Sequence, residues 1–344
     1  LAVHEQRKQE HLRICLDDDV RSGVTNRLER YRLVHHALPE MALDGVSTAT
    51  TFLGRGLGAP LLISAMTGGT SEARDINRRL ATAAQELGVA MGLGSQRAAL
   101  EDPSLMRTYQ VRDVAPDVLL LANLGAVQLN YGYGVDHCRR AVEAVGADAL
   151  VLHLNPLQEA LQPGGNTDFG GLLERIAAVC RGLEVPVIVK EVGWGLSAEV
   201  AARLCDAGVA ALDVAGAGGT SWSEVERRRG ATQEEIAVAE AFVAWGLPTA
   251  ESLRQVREAC PGLPVIASGG VLDGVEAAVC LALGADLAGM AATLLRPAAD
   301  SVDAVVRRLQ VIIRQLRVAM FCTGARTLAD LDASHLAPWS DTSP

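Results

Sequence analysis

Residues 185–216 read VPVIVKEVGWGLSAEVAARLCDAGVAALDVAG. Two apolar runs, 185–193 and 209–216, enclose a stretch of helical periodicity, 198–207, that ends at Gly208. Consecutive apolar residues, as opposed to alternating ones, mark strands buried on both faces, as in a parallel sheet. The glycine supplies the turn between a helix and the strand that follows it.

The same unit recurs in both directions. Further apolar runs lie at 60–66, 89–95, 118–125, 149–155, 263–270 and 286–292, with helical patterns at 73–87, 135–145, 171–180, 250–260 and 275–283. Eight such units predict an α/β fold, a closed (β/α)₈ TIM barrel. An open doubly wound sheet is the rival. No G-x-G-x-x-G follows the first strand, where Gly68-Gly69 is only a pair, and polar and glycine residues gather at the C-terminal ends of nearly every strand. Barrel enzymes keep their chemistry at that end.

The barrel is expected to span 59–298. Residues 1–58 form an N-terminal extension with a charged helical stretch (4–16) and a hairpin or loop at 43–58. Residues 299–344 supply a closing helix (300–322) and a tail expected to be disordered after Ala337. The long polar excursion at 218–249, after the sixth strand, is a candidate mobile lid.

Composition narrows the function. The chain is 49% hydrophobic and 21% charged, as in ordinary globular proteins, and its net charge of −10 argues against a nucleic-acid partner. An anionic substrate would need a local basic site. No apolar run is long enough for a membrane span, the first residues lack a signal-peptide core, and seven scattered cysteines without CxxC spacing suit the cytoplasm. Of 31 basic residues only Lys8 and Lys190 are lysines. Lysine is a compact point charge that fits against a cofactor heteroatom, where a guanidinium fork is wide.

Several strand ends carry groups with chemical potential. Gly216-Ala217-Gly218-Gly219-Thr220-Ser221 and Gly269-Gly270 are loops whose backbone N–H groups could wrap a phosphate, although a tight turn alone explains either one. Lys190, at the end of a buried strand, could pair with Asp213 or Glu191, or could face the negative rim of a reduced flavin. His153, Asn155, Gln158 and Glu159 share one short loop, where a carboxylate among amides could offer oxygen to Mg²⁺. Equally, Glu159 could simply favour a helix N-terminus. No G-x-S-x-G or H-E-x-x-H occurs, so hydrolase readings lack support.

Six motifs in order, Arg7-Lys8-x-x-His11-Leu12, Ser64–Gly69 (SAMTGG), Gly94-Ser95-Gln96-Arg97, Asn155–Glu159 (NPLQE), Lys190–Gly193 (KEVG) and Asp213–Trp222 (DVAGAGGTSW), resemble the type 2 isopentenyl-diphosphate isomerases. The resemblance runs from about residue 5 to beyond 325. It implies a barrel flavoprotein using FMN, Mg²⁺ and a reductant, usually NADPH, and an N-terminal segment that caps the diphosphate. FMN contacts would be Ala65, Met66, Thr67, Ser95, Asn123, Lys190, Thr220, Gly269 and Gly270, with Ala291 and Ala292 near its phosphate. The diphosphate would be held by Arg7, Lys8, His11, Ser95, Arg97, His153 and Asn155. Gln158 would reach the isoprenoid carbons and Glu159 would ligate the metal. Gln158, Lys190 and His153 would stand nearest the chemistry. A homotetramer or homo-octamer is also implied.

Two departures stand out. Many relatives carry a basic residue after the Ser268-Gly269-Gly270 motif, where this chain has Val271-Leu272-Asp273, and Trp194 is bulkier than expected. The enzymatic rival, an FMN-dependent 2-hydroxyacid oxidase, would need a histidine base and an arginine after the sixth strand, where this chain reads Ala215–Thr220 (AGAGGT). A flavin-binding sensor on a decayed barrel would not need a diphosphate cap with a carboxylate for Mg²⁺.

Overall fold

A computed structural model describes residues 2–230 and 232–338. Eight parallel strands close into a barrel: β1 (Leu61–Ile63), β2 (Ala90–Gly92), β3 (Leu120–Gly125), β4 (Ala149–His153), β5 (Val187–Lys190), β6 (Ala211–Asp213), β7 (Val265–Ser268) and β8 (Leu287–Met290), with β8 pairing back onto β1. Each lies inside an apolar run of the sequence. The strands are shorter than those runs because their C-terminal polar residues leave the ladder and line the barrel mouth.

The helices, in chain order, are α1 (Ala2–Asp17), α2 (Ser71–Leu87), α3 (Arg97–Glu101), α4 (Val135–Val145), α5 (Pro156–Leu161), α6 (Leu172–Gly182), α7 (Ala198–Asp206), α8 (Trp222–Arg229), α9 (Gln233–Glu240), α10 (Thr249–Ala259), α11 (Gly274–Ala282), α12 (Ala292–Asp300) and α13 (Val302–Thr323). Side-chain oxygens cap several of them: Thr70 accepts from Ala73 N, Ser197 from Val200 N and Asp273 from both Val275 N and Glu276 N. Each such cap satisfies a donor that the first turn leaves free, worth about 1 kcal/mol.

The core has two layers. One apolar cluster fills the space between strands and helices. A second fills the barrel's lower interior and includes Leu62, Ala90, Leu121, Val151, Ile188 and Ile266. Phe52 and Leu57 join that second cluster from a hairpin, Thr50–Phe52 against Arg55–Leu57. The hairpin therefore plugs the N-terminal end of the barrel, helped by an ion pair between Arg55 and Asp148, which directly precedes β4. The N-terminal extension is thus not one cap. Its helix α1 lies at the C-terminal mouth and its hairpin at the opposite end, while Tyr31–Leu33 pairs with Leu336–Pro338, tying the two extensions together.

The 218–249 excursion is also more structured than a lid loop. It folds into α8 and α9, and α8 packs on α1 and α5, burying Ser223, Glu224, Val225 and Glu226. From Trp339 onward the expected disordered tail lies outside the described residues. Among the described residues no helix is long and apolar enough to cross a membrane.

Candidate active site

In register, Leu152 pairs with Val189, His153 with Lys190, and Lys190 with Asp213. Residues level on neighbouring parallel strands point to the same face. This register therefore brings His153, Lys190 and Asp213 together at the barrel mouth. Above them lies a cavity of about 550 Å³ enclosed by the strand ends, α1 and α8. Every residue singled out by the resemblance lines it, from Arg7, Lys8 and His11 on α1 to Ala291 and Ala292 beside β8.

The glycine loops form one wall. Gly269 has φ +106, and a Cβ there would lie 2.1 Å from the Gly216 carbonyl oxygen; Gly218 has φ +125, and its Cβ would meet Asn26 N at 2.2 Å. Only glycine permits two backbones so close at positive φ. Among the described residues, the N–H groups of Gly218, Gly219, Gly269 and Gly270 donate to no backbone carbonyl. A row of free donors in a tight cradle is what a phosphate would satisfy. No basic residue stands at 271–273; nearby, Arg296 of α12 lines the cavity and donates to Leu16 O at 2.6 Å, while Arg308 of α13, outside the cavity lining, donates to Leu272 O at 2.7 Å. Trp194 is buried, its backbone packed on Gly246, and its bulk does not enter the cavity wall.

Of the two roles open to Lys190, the carboxylate pair is not the one its ammonium takes. Its Nζ donates to the Glu191 carbonyl oxygen. The Glu191 carboxylate instead folds back to accept from Val192, Gly193 and Trp194 N at 2.6, 2.7 and 2.5 Å. Burial pushes its carboxyl up to about 7 even against those three donors. Asp213, buried beside Lys190, accepts from Ser268 Oγ at 2.6 Å, and burial raises its pKa despite that bond and the lysine charge.

His153 Nδ1 lies 2.8 Å from Asn123 Oδ1. Burial, then the Lys190 charge, lowers its pKa to about 3. The imidazole is therefore neutral, with Nδ1–H donating to Asn123. It offers the cavity a hydrogen-bond acceptor, not the cation a diphosphate site would want from it.

The loop after β4 holds Glu159. Asn155 Nδ2 donates to Glu159 Oε1 at 3.0 Å and to Gln158 Oε1 at 3.2 Å, which fixes the orientation of the amide. Asn155 Oδ1 is then buried with no hydrogen-bond partner. An unpaired buried oxygen beside a carboxylate suits a hydrated cation, because water on the metal would donate to it. No group of three or more His, Cys, Asp and Glu able to hold a metal occurs among the described residues. Glu159 would accordingly be a lone protein carboxylate on the ion.

On the facing side, α1 is held by a network the sequence did not reveal. Lys8 Nζ donates to Tyr109 Oη at 2.5 Å and to Ser95 O at 3.1 Å, and the Tyr109 hydroxyl donates to Ser95 O at 2.8 Å. Burial, then the nearby Arg7 charge, brings the Lys8 pKa down to about 7. His11 Nε2 lies 3.0 Å from Glu226 Oε1, and Arg229 reaches both Glu226 Oε2 at 2.5 Å and Glu10 Oε2 at 3.2 Å. Burial disfavours the Glu226 charge, but His11 and Arg229 outweigh it and its pKa falls below the usual range. Glu226, Arg229 and Tyr109 were missed. A hint for the first two was the three-residue spacing of opposite charges in Glu224–Arg229, which makes helical ion pairs of Glu224 with Arg227 and Glu226 with Arg229.

Comparison with known proteins agrees with this picture. Residues 165–338 match the FMN-dependent dehydrogenase family model. Solved structures of mandelate oxidase, one with (S)-2-phenylpropionate and one with (S)-4-hydroxymandelic acid, share the fold with TM-scores of 0.66 at 20% and 18% identity; each alignment covers 98% of this chain and 97% of that one. The relatives are much nearer in sequence. Isopentenyl-diphosphate delta-isomerase of Stutzerimonas stutzeri is 55% identical over 96% of both chains, that of Synechococcus is 55% identical over 95% of this chain and 94% of its own, and that of Pseudescherichia vulneris is 54% identical over 98% of both. A flavoprotein barrel, a glycine cradle without the oxidase histidine, and identity of this extent along the whole chain lead to one conclusion: this protein belongs to the FMN-dependent isopentenyl-diphosphate delta-isomerases.

Proposed function

We propose that the chain interconverts isopentenyl diphosphate and dimethylallyl diphosphate by an allylic proton shift, with FMN kept reduced by NADPH and with Mg²⁺ on the diphosphate. The observation that carries this reading is a single cavity lined by a phosphate-type glycine cradle, by Lys190, and by Arg7, Lys8, Arg97 and Glu159. In the reaction C4 of the substrate gains a proton and C2 loses one, so nothing is oxidised overall. When bound and reduced, FMN would supply an electron-rich ring to stabilise positive charge at the tertiary carbon, and a ring nitrogen for acid–base work.

The chain's own residues do the rest. Arg7, Lys8 and Arg97 anchor the diphosphate, and that binding energy places a small apolar tail over the ring. Glu159 would hold Mg²⁺, with water and diphosphate completing the shell and Asn155 Oδ1 accepting from a bound water. Gln158 is an amide, too weak a base to take the proton, and positions the isoprenoid carbons. Lys190 would stabilise negative charge on the bound, reduced flavin. With α1 and α8 over the mouth, bulk water is kept from the cation. The homotetramer or homo-octamer of the resemblance and a cytoplasmic location belong to the same reading, and sedimentation of the purified protein tests the first.

The deciding assay gives purified protein FMN, NADPH, Mg²⁺ and isopentenyl diphosphate without oxygen. Dimethylallyl diphosphate forms in large excess over NADPH consumed. A flavin-loaded, reduced protein that makes none refutes the reading.

Lys8 adds a pH dependence. Its free amine titrates near 7, whereas a diphosphate alongside favours the ammonium. Below that pH the lysine is already charged and binding moves no proton; above it, binding draws one in and affinity falls as pH rises. Calorimetry of pyrophosphate binding at about pH 8, in two buffers of different ionisation heat, reads this uptake directly. The uptake disappears in Lys8→Arg; a wild-type enthalpy independent of buffer contradicts the assignment.

A further inference from the structure

The segment between α5 and α6 has no part in the reading above, although its sequence, Pro163-Gly164-Gly165-Asn166-Thr167-Asp168, is unusual. Gly164 turns with φ +69, and the chain then folds back so closely that a Cβ on Gly165 would lie 1.9 Å from the Glu159 carbonyl oxygen. This return delivers Asn166 between two walls of the cavity. Its backbone N–H donates to Glu159 Oε2 at 2.6 Å. Its side-chain Oδ1 accepts from Arg97 Nη1 at 2.9 Å and from Gln128 Nε2 at 3.1 Å. Further along, Asn130 Nδ2 donates to the carbonyls of Asp168 and Gly170, both at 2.9 Å, so the loop is anchored on its far side as well.

Among the described residues, Arg97 is otherwise held only along its own helix, where Nε donates to Glu101 at 2.8 Å. A guanidinium fixed at Nε and at Nη1 can turn neither about its long axis nor away from the cavity it lines. Asn166 does not line the cavity itself. It stands behind both Glu159 and Arg97, one through the main chain and the other through the side chain.

We propose that Asn166 is the positioning residue that sets the spacing between the metal carboxylate and the diphosphate arginine, so that a metal-bound diphosphate meets both groups already placed. This rests on the diphosphate reading of the site, and the ligand class is a magnesium-bound diphosphate. Removing Oδ1 frees Arg97 to swing and leaves the Gln128 amide short of an acceptor, while the backbone bond to Glu159 survives. The loss should therefore fall on anion affinity and not on flavin binding.

The test titrates inorganic pyrophosphate by calorimetry into FMN-loaded protein at saturating Mg²⁺. Wild type, Asn166→Ala, Arg97→Ala, the double variant and Thr167→Ala are compared. Asn166→Ala binds about tenfold more weakly, the scale of one charge-assisted hydrogen bond. The double variant binds no more weakly than Arg97→Ala, because the two residues act as one. Thr167→Ala, on the exposed neighbour, binds as wild type does, and all variants keep the flavin spectrum and melting temperature. The inference is overturned if Asn166→Ala binds normally, if its effect multiplies with that of Arg97→Ala, or if Thr167→Ala is equally impaired. A wild-type protein that binds no pyrophosphate overturns the diphosphate reading itself.

Discussion

Lys190→Met slows isomerisation by roughly 10²- to 10³-fold while leaving FMN bound and the substrate KM little changed. The lysine stands level with His153 and Asp213 at the mouth of the barrel, whereas the cations that would grip the diphosphate, Arg7, Lys8 and Arg97, come from α1 and α3. Its loss therefore falls on the reacting end and not on anchoring. At a strand end partly screened from solvent, one preoriented charge is worth more than in bulk water. Lys190→Arg does not restore the rate, since a planar fork is wider than the ammonium it replaces. The Lys190 charge is also the second cause, after burial, of the low pKa of His153, so the variant moves that group part of the way back toward its ordinary value. Steady-state rates under anaerobic, reducing conditions, with flavin content read from absorbance, settle the matter. A rate within threefold of wild type would remove Lys190 from the chemistry.

Gly269→Ala costs more than about 3 kcal/mol of stability and empties the flavin site. Two penalties combine: φ +106 is closed to side chains, and the new Cβ would overlap the Gly216 carbonyl oxygen at 2.1 Å. Relief requires the 216–219 loop to move, and Gly218 is pressed against Asn26, whose N would lie only 2.2 Å from a Cβ there. Asn26 in turn donates to the Gly270 carbonyl at 2.8 Å. The cradle is thus interlocked with the N-terminal extension, and no single loop can yield alone. Thermal unfolding with and without added FMN measures both effects. A stable variant that holds FMN as tightly as wild type would show that the cradle is not the phosphate site.

The barrel was legible in the sequence because a strand buried on both faces has little choice of residue, and eight such runs separated by amphipathic stretches admit few architectures. Strand limits were less legible: 89–95 reads as one apolar run, yet only Ala90–Gly92 joins the ladder. Gly94 then packs directly against Thr67 and the Ser95 carbonyl turns to meet Lys8 and Tyr109. Motif residues such as Lys190 and Glu159 stood out through the company they keep within a few positions. Glu226, Tyr109 and Asn166 did not, because their partners lie 215, 101 and 69 residues away and no local pattern records a contact of that range. Of the two readings open for Lys190, pairing with a neighbouring carboxylate fails for a related reason. Proximity in sequence gave Glu191 a nearer target in the three N–H groups of its own turn.

The docking of α1 has a bearing on how the enzyme comes into being. The helix is translated before the barrel, yet it is held by Glu226, Arg228 and Arg229 of α8. A short, highly charged helix is marginal by itself in water, and synthesis proceeds from the N-terminus. Until α8 has been made, α1 can reach Ser95 and Tyr109 through Lys8 but lacks its ion pairs with Glu226 and Arg229. The flavin cradle likewise waits for Gly269 and Gly270. The complete site, with the flavin cradle and the α1–α8 ion pairs in place, therefore forms only after Gly269 and Gly270 have been made.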